Sequence, residues 1–486
     1  MIKILSRTLN IVFVITSFSV IIISHHVYAS EEQASSQNIS TIIDGSGDSG
    51  FIYTTRASLE DGFFSPPNEA IRKKSLSGGH VRRVPAGWVK TSGNSDWIGN
   101  YAALGNEAEN VFTYYDLNHT GAALFPVQNT NPPIAAWEIF SDPLNLSYPR
   151  GVAAAKSEDV YVAIIETKDV LNPTLRDIDI QRYSSQGKLE WSYRYPFKTN
   201  QPLATSSSHI GISNDGQTIA AIVYNAASNI NEVLIFSPYV STPISSYTFE
   251  GGIVWKMDLS ADGNFVALGI NTKIYVVETQ TGNRRFDKDT FAQISDSGLA
   301  ISGDGSVLVY GGGAPIGFLE GYIWTQATAI YNLRYIVPSP LVGWYRTLEI
   351  SDDGSTLAAG MGELYPLKEC RVEARDAQTG ALLMGETVTS VDGPNDYQNV
   401  VMDVAISADG SRMAAALAGD EDIAPLVEEI RVYDTSVNVP IFKRNLSGSA
   451  TSVDMSSSGH WVVAGSKAVH INELGRDGQI DLIYVP

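Results

Sequence analysis

Met257-Asp-Leu259-Ser260-Ala-Asp262-Gly263, continued by Val266-Ala-Leu268, Ile274-Tyr-Val276 and Gln280-Thr281-Gly282-Asn283, decides the fold of this 486-residue chain. Apolar residues two apart set one side of a strand against a neighbouring layer. Asp-Gly then supplies the positive φ angles of a tight hairpin turn, where glycine meets no steric penalty. The Ser and Asp side chains are placed to bond nearby backbone N–H groups and fix that turn. The small and branched run after it suits a strand buried on both faces. A third strand, a second turn and a fourth strand complete the unit.

The phrase recurs as Ile210-Gly-Ile212-Ser213-Asn-Asp215-Gly216, Leu299-Ala-Ile301-Ser302-Gly-Asp304-Gly305, Leu348-Glu-Ile350-Ser351-Asp-Asp353-Gly354 and Val404-Ala-Ile406-Ser407-Ala-Asp409-Gly410. Val453-Asp-Met455-Ser456-Ser-Ser458-Gly459 closes the series without the Asp. Successive Ser positions lie 47, 42, 49, 56 and 49 residues apart. Four short antiparallel strands in each unit of roughly 40 to 50 residues predict an all-β propeller of four-stranded blades. Two weaker copies precede the clear ones, one from about Val89 through Tyr101-Ala-Ala-Leu104 to Ala123-Leu-Phe125, the other from Val152 to Trp191. That makes about eight blades ending near Val485, or seven if the first copy is only a partial blade. The propeller is expected over residues 85–486.

Residues 1–29 predict a secretory signal peptide. Lys3 and Arg7 precede the apolar run Ile11 to Ser24, and Val27-Tyr28-Ala29 offers a cleavage site. The run is short for a membrane-spanning helix, which needs roughly 20 residues; an uncleaved anchor is the alternative. Residues 30–84 carry no repeat and are expected to form an irregular leader, rich in Ser, Gly and Gln at first. The chain is therefore expected in the periplasm or outside the cell.

Removing the signal leaves 31 basic against 53 acidic residues, a net charge near −22. Such a surface repels phosphate backbones and anionic lipid, which argues against nucleic acid or membrane as partner. Cys370 is the single cysteine, so no internal disulfide forms, and it is expected to be a buried apolar residue. A chain of this length buries a large core without such staples.

The repeat resembles the WD40-like and quinoprotein-like (PQQ-like) propellers common among exported bacterial and archaeal proteins. The Ser-x-Asp-Gly phrase is similar to the Ser-Pro-Asp-Gly of that group, although Pro is absent from every copy. Asp376-Ala-Gln-Thr379-Gly380-Ala-Leu382 resembles the Asp-x-x-Thr-Gly-x-x-Leu repeat of pyrroloquinoline-quinone proteins. The resemblance implies blades, not chemistry. Quinone-dependent dehydrogenases of this kind hold their cofactor beside a vicinal Cys pair and a Trp floor. A single Cys excludes the pair, and only Leu189-Glu-Trp191 approaches the tryptophan-bearing repeat ending.

No catalytic motif stands out, so catalytic residues are unassigned. The Asp-Gly turns are uniformly tight, whereas the opposite face swells. Second-to-third connections are expected over Glu166–Arg176, Tyr224–Asn231, Gly311–Glu320, Gly360–Glu369 and Ala418–Glu428. Inter-blade links are expected over Pro196–Ser208, Asp287–Ser297, Pro338–Tyr345 and Thr389–Asn399. Long loops on one face of a rigid scaffold are where binding resides. His209, Trp255, Trp344, Tyr345, Arg346 and Tyr397 open first strands there, and aromatic and Arg side chains are the usual anchors; for Trp255 and Trp344 the alternative is packing between blades. Asp420-Glu421-Asp422 with Asp392 and Asp396 could gather oxygens for calcium; the alternative is a solvated acidic loop.

The expected function is a binding scaffold holding a protein, peptide or glycan partner through the looped face, as a monomer. The alternative is an enzyme with a metal or quinone site at the central channel, a hydrolase, lyase or dehydrogenase. A propeller subunit of a redox complex is a third possibility.

Overall fold

The computed structural model describes residues 80–84, 101–104, 110–115, 121–126, 137–140, 147–156, 160–168, 175–184, 188–199, 209–252, 254–290, 298–312, 317–341, 343–363, 369–389, 400–418, 428–446, 448–467 and 478–486. These form 32 strands in eight four-stranded antiparallel sheets.

The first described strand is β1 (His80–Val84), and seven sheets follow, each built from four consecutive described strands. The first two hold β2 (Tyr101–Leu104), β3 (Asn110–Tyr115), β4 (Gly121–Pro126) and β5 (Trp137–Phe140), then β6 (Ser147–Ala154), β7 (Val160–Lys168), β8 (Arg176–Ser184) and β9 (Leu189–Arg194). The next two hold β10 (Ile210–Ile212), β11 (Ile219–Asn225), β12 (Ile230–Phe236) and β13 (Ser245–Glu250), then β14 (Val254–Leu259), β15 (Phe265–Ile270), β16 (Lys273–Glu278) and β17 (Arg284–Asp289). The fifth and sixth hold β18 (Leu299–Ile301), β19 (Val307–Gly312), β20 (Phe318–Thr325) and β21 (Ile330–Pro338), then β22 (Gly343–Ile350), β23 (Thr356–Glu363), β24 (Glu369–Asp376) and β25 (Leu382–Thr389). The seventh holds β26 (Val401–Ile406), β27 (Arg412–Leu417), β28 (Ile430–Asp434) and β29 (Pro440–Arg444). The eighth sheet is composite: β30 (Ala450–Met455), β31 (Trp461–Lys467) and β32 (Gly478–Tyr484) take β1 as their outer strand.

The first strand of each sheet meets the first strand of the next, and β2 meets both β6 and β30, so the sheets close on themselves as a propeller. Between neighbouring sheets lie apolar layers, such as Ile164, Ile180, Ile219 and Phe236. Second strands such as Ile219–Asn225 are buried along their whole length, as their small and branched residues imply.

Three expectations change. Residues 80–84, expected in the leader, are a strand in register with β32 from His80↔Tyr484 to Val84↔Ile480. The C-terminal repeat supplies only three strands, and the sheet needs a fourth. Tyr101–Leu104 is consequently the innermost strand of its sheet, and Trp137–Phe140 completes it. Finally, Asp-Gly does not supply two positive φ angles. Gly alone adopts them, at 70°, 71°, 73°, 69°, 69° and 73° in Gly216, Gly263, Gly305, Gly354, Gly410 and Gly459.

The remainder of the turn follows its chemistry. The Ser hydroxyl donates to Asp Oδ1, as in Ser260 to Asp262 at 2.6 Å. That Oδ1 accepts the N–H two residues on (Asn264, 3.0 Å), and the Ser Oγ accepts the N–H five residues on (Phe265, 3.0 Å). The pattern repeats at Ser213, Ser302, Ser351 and Ser407. Where Asp is lost, Ser456 Oγ has only Ser458 Oγ at 3.2 Å in its place.

A candidate binding channel and its looped mouth

The turns carry the sheets toward the axis. Their second residue bonds along the backbone to the neighbouring turn: Asn214 N–H to Ala261 O at 2.8 Å, and Ala408 N–H to Ser457 O at 3.0 Å. Gly303 occupies this position because a Cβ there would stand 2.6 Å from Asp352 O.

Alternation along a strand sends the residue between the two apolar ones to the opposite side. In the repeat phrase that residue is Asp258, Glu349 or Asp454, and it faces the channel. Two residues further back stand Lys256, Asp403 and Ser452, and beside the turn stand Lys156, Asn214 and Asp352. Together with the apolar flanks of the first strands they enclose a cavity of about 260 Å³.

Two polar contacts span this channel near the turns. Lys156 Nζ reaches Asp454 at 2.8 Å, and Asn214 Nδ2 donates to Asp352 Oδ2 at 2.8 Å. Asp258 Oδ2 accepts the Ile301 N–H at 2.9 Å and Asp403 Oδ2 accepts the Val453 N–H at 3.2 Å, each tying its sheet to the next. Desolvation in this narrow space raises the carboxyls of Asp258 and Asp352, and pushes Asp403 up to about 6. Glu349 stands well above the usual carboxylate range, through burial first and then the Asp454, Asp403 and Asp258 charges, against the pull of Lys156.

The far ends of the first strands share a further device. The pairing slips by one residue at Arg150, Trp255, Arg346, Met402 and Thr451, each five residues before the Ser position or its equivalent, Ala155. A β-bulge at such a place re-aims the side chain and twists the strand. Arg346 is half-buried on this bulge and Trp344 is half-buried two residues before it. Trp255, also bulged, packs against the layer containing Leu299 and Ile301, so it sits between sheets.

Two of the sequence candidates are buried. Tyr345 is fully buried, with its hydroxyl donating to Glu373 Oε2 at 3.1 Å. His209 is 3% exposed. Tyr345 lies on β22 between half-buried Trp344 and Arg346, so alternation turns it inward, whereas His209 immediately precedes β10. Tyr397, Asp392, Asp396, Asp420 and Asp422 lie outside the described residues. Among the described residues no group of three or more His, Cys, Asp and Glu is arranged to hold a metal ion. Cys370 is buried and its thiol is pushed up to about 12 by desolvation, an inert apolar residue as expected.

The looped face is also less uniform than expected. Tyr224–Asn231 is a tight turn in which only Ala226–Asn229 separate the strands, with Asn229 at φ 54°. Pro338 and Gly343 bound a short link as well, because β21 and β22 run on through the expected loops. The long connections that remain include those between β7 and β8, β25 and β26, and β27 and β28.

Sequence reasoning missed the channel acids, although the signal was in the repeat phrase itself. It also missed carboxylates that fasten sheet to sheet. Glu232 accepts from Tyr195 at 2.8 Å, Glu250 from Tyr275 at 2.8 Å, and Glu386 from Arg431 at 2.7 Å. Trp191, the one Trp-bearing repeat ending, stacks on Phe236 at 5.4 Å and donates Nε1 to Pro238 O.

No protein-family model matches the chain, and no curated protein does. Solved structures do. The C-terminal WD40 domain of Sif2 is 11% identical with a TM-score of 0.53, over 81% of this chain and 98% of that one. Chaetomium thermophilum Sqt1 bound to the N-terminus of the ribosomal protein L10 is 12% identical with a TM-score of 0.52, over 80% and 97%. Kuenenia stuttgartiensis hydrazine synthase is 17% identical over 53% of this chain and 72% of that one, at a TM-score of 0.40. The fold is thus that of a WD40-like β-propeller. Among the described residues no helix is long and apolar enough to cross a membrane.

Proposed function

We propose that the chain is a binding scaffold that holds a protein or peptide partner at the looped mouth of its channel. The observation that carries this reading is the asymmetry of the inner strands. One end is tied turn to turn and spanned by Lys156–Asp454 and Asn214–Asp352, while the other carries half-buried Trp344 and bulged Arg346. On β22 the two ends lie roughly 20 Å apart at the rise of a strand. The propeller of Sqt1, whose structure holds the N-terminus of a ribosomal protein, supports a peptide as occupant. Export through residues 1–29 and a monomeric state belong to the same reading.

Partner capture by the full chain tests it. Trp344→Ala and Arg346→Glu should weaken capture at least tenfold, while Gln217→Lys on the turn face leaves it unchanged. Loss with Gln217→Lys alone would put the partner on the wrong face, and retention of a glycan rather than a protein would change its class.

A further inference from the structure

The channel's charges are unequally matched. Asp258, Glu349 and Asp454 face one lumen from the same step of β14, β22 and β30, with Asp403 two residues further from the turn on β26 and Asp352 in a turn. Against these five carboxyls the described lining residues offer Lys156 and Lys256, and Lys156 is held by Asp454. The inner strands β10 and β18 contribute no ionisable residue, and β2 contributes none but Tyr101; buried His209 precedes β10, and Arg150 sits at the bulge of β6. Closing the ring therefore forces like charges together in a space of about 260 Å³.

We propose that the channel is a proton-binding element that couples the stability of the ring to the acidity of its surroundings, the ring being firmer in mild acid than at neutral pH. The groups that matter are Glu349, Asp258 and Asp403. Glu349 faces Asp454, Asp403 and Asp258, with Lys156 opposing; Lys256 opposes at both Asp258 and Asp403. Each carboxyl is raised in the folded state, to about 6 for Asp403, so the folded chain holds protons that the unfolded chain releases. The channel's contribution to stability is then fully present below the ordinary carboxylate value of about 4 and is lost as pH rises through the folded-state values. Carboxyls held low, such as Asp304, Asp353 and Asp409 in the turns, have the opposite sign but act only below their ordinary range. Glu429, pushed up to about 7 by burial away from the channel lining, shares the sign and serves as the control.

The test is thermal unfolding of the full chain between about pH 8 and about pH 5.5. The wild-type midpoint should rise by about 2 °C or more on acidification. Glu349→Gln and Asp403→Asn should melt above wild type at the alkaline end and show a shallower rise, whereas Glu429→Gln keeps the channel's share of the slope. A wild-type midpoint that is flat or falls over this window overturns the proposal, as does a full slope in both channel variants. Infrared titration of protonated carboxyls in the wild-type chain and the same variants reads protonation directly, apart from stability. Bands that persist above about pH 5.5 and vanish only in the channel variants support the proposal; none above that pH overturns it.

Discussion

The two ends of each inner strand follow different rules. At the turn end, five copies of Ser-x-Asp-Gly build the same hydrogen-bonded loop, and the backbone of one turn bonds to the next. At the looped end the copies diverge. A bulge carries Trp in one sheet, Arg in another and Met in a third, and the connections range from the tight Ala226–Asn229 turn to the long segment before Ile430. Local chemistry that can be satisfied within six residues repeats faithfully; positions whose partners come from other sheets are free to differ. The difference separates what every sheet shares from what makes each sheet distinct.

Substitutions can break that contrast in order of size. Tyr345→Ala, at the looped end but buried in the layer between sheets, should cost about 3–5 kcal/mol in urea unfolding, since it empties a core site and strips Glu373 of a donor. A loss below 1 kcal/mol would mean that the looped end is loosely packed even beneath its surface. Gly410→Ala at the turn end should cost about 1–2 kcal/mol, because φ is 69° and a Cβ would stand 2.4 Å from Thr356 Oγ1. Smaller still, Ser351→Ala should cost about 1 kcal/mol by removing acceptor and donor together, and Ser458→Asp should recover part of such a sum by restoring the missing contact to Ser456. If Ser458→Asp is neutral, the turn geometry is set by glycine alone.

The turn end was legible in the sequence because each of its bonds joins residues two to five apart. The buried second strands were legible for the same reason, as runs such as Val266-Ala-Leu268. The looped end was less legible: Arg346 and Trp344 are half-buried at that end of β22, but Tyr345 between them turns into the core by simple alternation. The channel was written into the phrase as the middle residue of Met257-Asp-Leu259 and Leu348-Glu-Ile350, yet no spacing reveals that these acids meet, since each comes from a different sheet. β1 escaped notice because five residues with no repeat signal acquire meaning only beside β32.

That pairing has a consequence for how the molecule comes into being. On the ribosome His80–Val84 is made before any other described strand, and its partner Gly478–Tyr484 is made last. Every other described strand has its sheet partners among strands made close to it, so the ring has one seam that joins distant parts of the chain. The seam is sewn only when translation has reached β32. Until then β30 and β31 wait for the rest of their sheet, and β1 has no strand to pair with.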